Sequence, residues 1–184
     1  MKKEAIIVTV LTILLLISLQ FDSIIINFIE SSRVDFTSKI MIFISNDVFD
    51  FLLFAILIAA MFYRNRDYKK ILLYIFVVGI AYITASILKG VIARPRPDIE
   101  RLVNVSSYSF PSRHTTTFFS IAPSAFIESK AFGYSWIALS SLIAFSRVYV
   151  GAHYLSDVFG GMLVGYIIGI IVTKYYVNYI SPEK

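Results

Sequence analysis

The chain has 184 residues, of which 58% are apolar and only 16% charged, and its mean hydropathy is +0.76. Ordinary globular domains are roughly 45–50% apolar and about 25% charged, so the excess calls for lipid as a solvent rather than a larger core. Cysteine is absent, which excludes disulfides, zinc–thiolate sites and thiol nucleophiles together. The formal net charge of +5 is scattered between apolar runs instead of forming a basic tract. That argues against nucleic acid and for anionic lipid headgroups as the partner.

Residues 5–19 are almost unbroken Ile, Val, Leu and Thr, and the run continues through Gln20 and Asp22 to residue 29. A hydrocarbon core about 30 Å thick needs about 20 helical residues, so this is a first span. The Lys2-Lys3 start also suits a signal peptide, but no A-x-A-like cleavage site follows, and an uncleaved anchor is expected. A second run covers residues 48–63, with Ile40 an alternative start, and a third covers 71–88 after the basic turn at 64–70. Beyond a polar stretch at 89–114, apolar residues resume at 115–127, 135–150 and 158–176.

The expected fold is therefore all-α, a polytopic membrane protein with six transmembrane helices and both termini on one side. No linker, repeat or low-complexity tract divides it, so residues 1–184 form one domain with a short polar tail from Ser181. With the termini cytoplasmic, the inner segments hold nine basic residues and the outer segments eight. Setting aside Lys89, Arg96, Arg113 and Arg147 as binding-site candidates leaves nine against four, which satisfies the positive-inside rule. The site would then sit at the outer ends of the later helices, facing the extracytoplasmic side of a cell membrane.

Three polar clusters carry the chemistry: Lys89 with Arg94, Pro95, Arg96 and Pro97; Pro111 with Ser112, Arg113 and His114; and Ser146 with Arg147, His153 and Asp157. Lys89, Arg96 and Arg147 are cations beside apolar spans, where an unpaired charge costs at least a few kcal/mol, and a dianionic ligand settles them. Arg offers a planar fork and Lys a point charge to phosphate oxygens. Ser112 precedes the fourth span, where free helix-start amides favour an anion. His153 and Asp157 are four residues apart, so on a helix the carboxylate can hold one imidazole nitrogen and leave the other free.

A neutral, oriented imidazole can attack phosphorus while the cations stabilise the equatorial oxygens. His114, the second of only two histidines, can protonate the leaving oxygen. Each feature also has a plain reading. A basic residue at a span end snorkels to the headgroups, a His–Asp pair makes a structural hydrogen bond, and two His and an Asp can hold a metal. No further ligand stands nearby in sequence, and the basic surroundings repel a cation, so neither metal nor cofactor is expected.

Together the clusters resemble the type 2 phosphatidic acid phosphatase family, whose pattern is K-x6-R-P, then P-S-G-H, then S-R-x5-H-x3-D. Ten positions match: Lys89, Arg96, Pro97, Pro111, Ser112, His114, Ser146, Arg147, His153 and Asp157, within residues 89–157. The resemblance implies a metal-free phosphatase with His153 as nucleophile, Asp157 orienting it and His114 as general acid. It also implies that Lys89, Arg96, Arg147 and Ser112 bind phosphate. Arg113 departs from the pattern by replacing Gly; it either meets a second phosphate or headgroup charge or points to water.

The fourth span, counted from Ser112, is 16 residues or about 24 Å long, so the catalytic loop is expected to dip to headgroup level. The expected substrate is a lipid phosphate or diphosphate, foremost a polyprenyl diphosphate, with extra cations at Arg94, Arg101 and Arg113 taking up the second phosphate. Phosphatidate or phosphatidylglycerophosphate is the alternative. A non-enzymatic phospholipid transporter or scramblase would explain six spans but not the His–Asp spacing.

Overall fold

The computed structural model describes residues 2–65 and 67–181, residues 64 and 65 by their backbone only. The expected tail from residue 182 on lies outside the described residues. These form α1 (Lys2–Ser31), α2 (Asp35–Ile44), α3 (Asp47–Asn65), α4 (Tyr68–Ile92), α5 (Arg113–Glu128), α6 (Lys130–Tyr149) and α7 (Leu155–Tyr175), followed by a π-helical turn (Tyr176–Ile180). The helix ends follow local chemistry. Asp67 accepts from the Lys69 and Lys70 amides to start α4, and Ser129 accepts from Phe132 to start α6.

All six expected spans coincide with helices, but not all are membrane-spanning by length and composition. Lys2–Ser31, Tyr68–Ile92 and Leu155–Ile180 qualify, and α2 with α3 makes a fourth if the pair, bent by 53°, counts as one. The second apolar run thus has a separate ten-residue helix in front of it, broken off at Ser45 and Asn46. Serines and Arg147 dilute α6, and α5 has only 16 residues. The reason for α5 is its position: eleven of its residues are buried, so it meets protein rather than lipid on nearly every side.

α5 is the central rod, packed against α4, α6 and α7, with α1 laid against α7. Its buried hydroxyls turn back on their own helix: Thr116 donates to the Ser112 carbonyl at 2.9 Å, Thr117 to Arg113 at 2.9 Å, and Ser120 to Thr117 at 2.7 Å. Phe118 stacks on Trp136, whose indole N–H donates to the Phe118 carbonyl at 2.8 Å. The outer faces of α1, α3 and α4 expose Ile13, Leu16, Phe51, Leu72, Phe76 and Ile83. Such a belt is a liability in water and the normal surface of a helix in lipid.

Gly161, Gly165 and Gly169 form a stripe along α7. A Cβ at Gly165 would collide with the Thr116 carbonyl, one at Gly169 with the Ser120 carbonyl, and one at Gly161 would lie 2.8 Å from the Ser112 carbonyl. Small residues every fourth position let two helix backbones touch. This contact brings the starts of α5 and α7 together. At the far end of the bundle, Lys174 meets Glu4 at 2.6 Å, Lys70 meets Glu128 at 2.9 Å and Lys69 donates to the Ile180 carbonyl. The polar clusters all gather at the opposite end.

Candidate active site

Two loops build the site. After α4 the chain turns at Ala93, which has φ 50°, and runs to Ser112. After α6 it reverses at Gly151, with φ 76°, where the Arg33 guanidinium would stand 2.9 Å from any added Cβ. Arg33 itself donates to the Tyr149 and Glu100 carbonyls, tying α1 to both loops. The amides of Ala152 and His153 donate back to the Arg147 carbonyl, which places His153 in the turn before α7 and not on it. The shared helix face expected for His153 and Asp157 is therefore replaced by a turn that folds the imidazole over the helix start.

A cavity of about 520 Å³ opens between these loops and the α2–α3 break, lined by Lys89, Arg96, Arg113, His114, Arg147 and His153 among others. Three of its cations are fastened by neutral oxygens. Lys89, 5% exposed, donates to the carbonyls of Tyr108 and Ser109 at 2.7 and 2.9 Å. Arg96 donates to the Ser107 carbonyl at 2.6 Å and to the Ala152 carbonyl. Arg147 donates to the carbonyl and hydroxyl of Ser45, and its buried Nε has no partner. Held this way the two arginines keep their positive charge for a ligand. Burial, with Arg101 and Arg113 nearby, pushes Arg96 down to about 10, still protonated at neutral pH.

His153 is 1% exposed, with Nε2 3.4 Å from an Arg96 nitrogen and Nδ1 3.5 Å from Asp157 Oδ2. Burial, then the charges of Arg147, Lys89 and Arg96, hold this imidazole well below its ordinary value, so it is neutral. Arg96 can only donate, which assigns the lone pair to Nε2 and the proton to Nδ1 on the Asp157 side. The 3.5 Å separation is long, as catalytic hydrogen bonds often are before substrate arrives.

Asp157 is fully buried and heavily partnered. Arg94 bridges it at 2.7 Å, the Tyr154 amide donates at 2.9 Å, and the Ser109 hydroxyl donates to the same oxygen. Arg94 reaches on to Asp22 of α1 at 2.7 Å, and Asp22 accepts from the Ser156 amide and hydroxyl. This corrects the expectation that Arg94 offers charge to a second phosphate, because both ends of its fork are taken by carboxylates. It also separates Arg94 from Arg96, two residues on, which faces the cavity. Asp22 and Ser109 were not singled out in the sequence, since nothing in an apolar first helix ties one aspartate to a motif 70 residues away.

His114 is 9% exposed at the start of α5. Its Nε2 lies 2.9 Å from Asp47 and 3.3 Å from Asp50. No further ligand stands near His114 in sequence, but the fold brings two carboxylates to it: these three are the one group of described residues whose donor atoms would fit around a metal ion. Ser112 is the N-cap of α5, fully buried, donating its amide to the Asp157 carbonyl and accepting from the Thr115 hydroxyl. Its amide is thus spent, and the residue sits behind the cavity wall. Arg113 stacks its guanidinium 4.7 Å above the Tyr82 ring at the cavity edge.

Cations and two imidazoles around one cavity are the groups that phosphoryl transfer needs. Residues 70–181 match the PAP2 superfamily, so the chain belongs to that family. It is 31% identical over 126 residues to the undecaprenyl-diphosphatase BcrC of Bacillus subtilis, covering 65% of this chain and 65% of that protein. It is 31% identical over 134 residues to phosphatidylglycerophosphatase B of the same organism, covering 67% of this chain and 66% of the relative. The chain thus spans a little under two thirds of each of these relatives. The fold matches the crystal structure of a transmembrane PAP2-type phosphatidylglycerolphosphate phosphatase from Bacillus subtilis with a TM-score of 0.78 and 26% identity, over 97% of this chain and 98% of that one. With its lipid-length helices, the molecule is a membrane protein.

Proposed function

We propose that the chain is an integral membrane lipid phosphatase that hydrolyses a polyprenyl diphosphate to the monophosphate and inorganic phosphate through a phosphohistidine on His153. The supporting observation is the convergence of Lys89, Arg96 and Arg147 with both histidines on one cavity, with the His153 lone pair directed beside Arg96. The His153 Nε2 lone pair attacks the terminal phosphorus and the bridging P–O bond breaks, releasing the lipid monophosphate. The cations meet the oxygens on which charge develops. Water then attacks phosphorus, giving its proton to the neutral His114 imidazole, and the P–N bond breaks, releasing phosphate and restoring neutral His153.

Where the leaving group is an alkoxide, His114 supplies its proton in the first step. Arg113 and Arg101 are the cations left to meet a second phosphate. Similarity to BcrC favours the diphosphate, and the TM-score of 0.78 favours phosphatidylglycerophosphate as a second reading. In the orientation proposed here both termini are cytoplasmic and the cavity faces outward, so the lipid tail stays in the outer leaflet while its headgroup reaches the cavity.

The test is phosphate release by purified protein from prenyl diphosphate, prenyl monophosphate, phosphatidate and phosphatidylglycerophosphate, with an alkaline denaturing quench of labelled substrate, in which a P–N bond survives. Wild type should trap a phosphoramidate and His153→Ala none. Label persisting in that variant would remove His153 as nucleophile.

A further inference from the structure

Each of the cavity's two imidazoles has a carboxylate behind it, and only that of His153 is implied by the sequence motif. We propose that Asp50 is a positioning residue for His114, holding the Nε2–H so that Nδ1 passes its proton to the departing oxygen. This rests on the general-acid reading of His114 given above.

The fold brings the pair together through the break between α2 and α3. Arg147 grips Ser45 on one side of the break. On the other, the Asn46 side chain accepts from the Val48 amide at 2.8 Å and starts α3. Asp47 and Asp50, three apart, therefore share the face of the first turn that meets the start of α5. Asp47 is closer to Nε2, at 2.9 Å against 3.3 Å, but its side chain is 78% exposed and that of Asp50 only 13%. Water screens the first contact and leaves the second. Asp50 Oδ1 and His114 Nε2 are both buried without a hydrogen-bond partner, so the 3.3 Å contact is an approach that closes when the imidazole turns its N–H to the carboxylate.

The charges around His114 give this contact its purpose. Arg113 on its own helix, Arg147 on α6 and Arg96 on the cavity wall are positive, with Lys89 beside them. An imidazolium needs negative charge to persist there, and Asp47 and Asp50 are the carboxylates that face it. The two histidines are thereby set apart. Asp157 is already bridged by Arg94, so it orients His153 while leaving it neutral. Asp50 lies 3.3 Å from His114 Nε2 and pairs with that imidazole when it carries a proton. During cleavage the proton leaves Nδ1 as the P–O bond breaks, and the imidazole stays neutral with Nε2–H on Asp50. Nδ1 then accepts the proton of the attacking water.

The rival roles for Asp50 are counter-ion to Arg147 and ligand of a cation shared with Asp47 and His114. The experiment compares wild type, Asp50→Asn, His114→Ala and the double variant on prenyl monophosphate, whose alkoxide needs a proton, and on 4-nitrophenyl phosphate, whose phenolate does not. Asp50→Asn should lower kcat/KM, which reads only the steps through P–O cleavage, about a hundredfold on the first, the lower end of general acid contributions, with little change on the second. It should add nothing to His114→Ala, and Asp50→Glu should recover part of the loss. Equal losses on both substrates, a rise in KM alone, or chelator-sensitive activity restored by a divalent cation would overturn the proposal. If His114→Ala is itself indifferent to the leaving group, the general-acid reading falls and this one with it; if only Asp50→Asn is indifferent, this proposal alone falls. Failure of both Asp50 variants to fold would assign the residue to the fold instead.

Discussion

At the scale of single residues, two arginines separated by one proline do opposite work. Arg96 faces the cavity, whereas Arg94 is clamped between Asp22 and Asp157 with its face 4.4 Å from the Tyr154 ring. Removing one partner of a largely buried ion pair costs about 3–5 kcal/mol, because it strands the other charge. Arg94→Gln should therefore lower the melting temperature and also lower kcat, since Asp157 loses the group that fixes it behind His153. Asp22→Asn should act in the same direction, and the two losses should not add, because they belong to one network. Thermal unfolding and steady-state kinetics on the single and double variants measure this. Additive losses would show that Asp22 and Arg94 act separately.

At the scale of elements, the site depends on one helix pair. The cavity's two histidines stand at the N-terminal end of α5 and in the turn just before α7, and the spacing of those two helices is set by the glycine stripe at 161, 165 and 169 of α7. A methyl at Gly165 has the α5 backbone in its path and no flexible side chain to displace. Overpacking of that kind typically costs about 1–3 kcal/mol. Gly165→Ala should reduce thermal stability by that order and reduce turnover, although position 165 is three helical turns from His153. Gly79→Ala on α4, where an added Cβ meets nothing within 4 Å, is the matched control and should be close to neutral. A Gly165→Ala protein with full stability and activity would disprove the close-contact role.

At the scale of the whole molecule, orientation in the membrane follows from which end carries the site. α1 starts, and α7 ends, beside the α3–α4 turn and the end of α5, with the cavity at the opposite end. The chain has no cysteine, so a single introduced thiol reports without background. With the proposed orientation, Ser106→Cys in the exposed loop beside the cavity should react with a membrane-impermeant maleimide in intact cells. Tyr68→Cys, at the other end, should react only after permeabilisation. The reverse pattern would invert the topology and place the cavity on the cytoplasmic side.

Composition alone determined the solvent of this protein, because no chain of 184 residues hides a 58% apolar content from water. Periodic apolar runs located the helices for the same reason, each needing lipid or a neighbour along its length. The spacing of Lys89, Arg96, His114, Arg147, His153 and Asp157 identified the cavity's main groups, since local chain geometry limits what such short segments can present. The six-residue spacing from Lys89 selected Arg96, but only the tertiary structure gave Arg94 its own task, because that depends on Asp22 arriving from a helix 72 residues earlier. Only it showed α5 to be a buried rod, since burial depends on which helices surround it and not on its own apolarity. And only it set Asp47 and Asp50 beside His114, through a bend at Ser45 that Arg147 holds from the other side of the cavity. Contacts of that kind are made by side chains far apart in sequence, whose meeting is set by how whole helices stack.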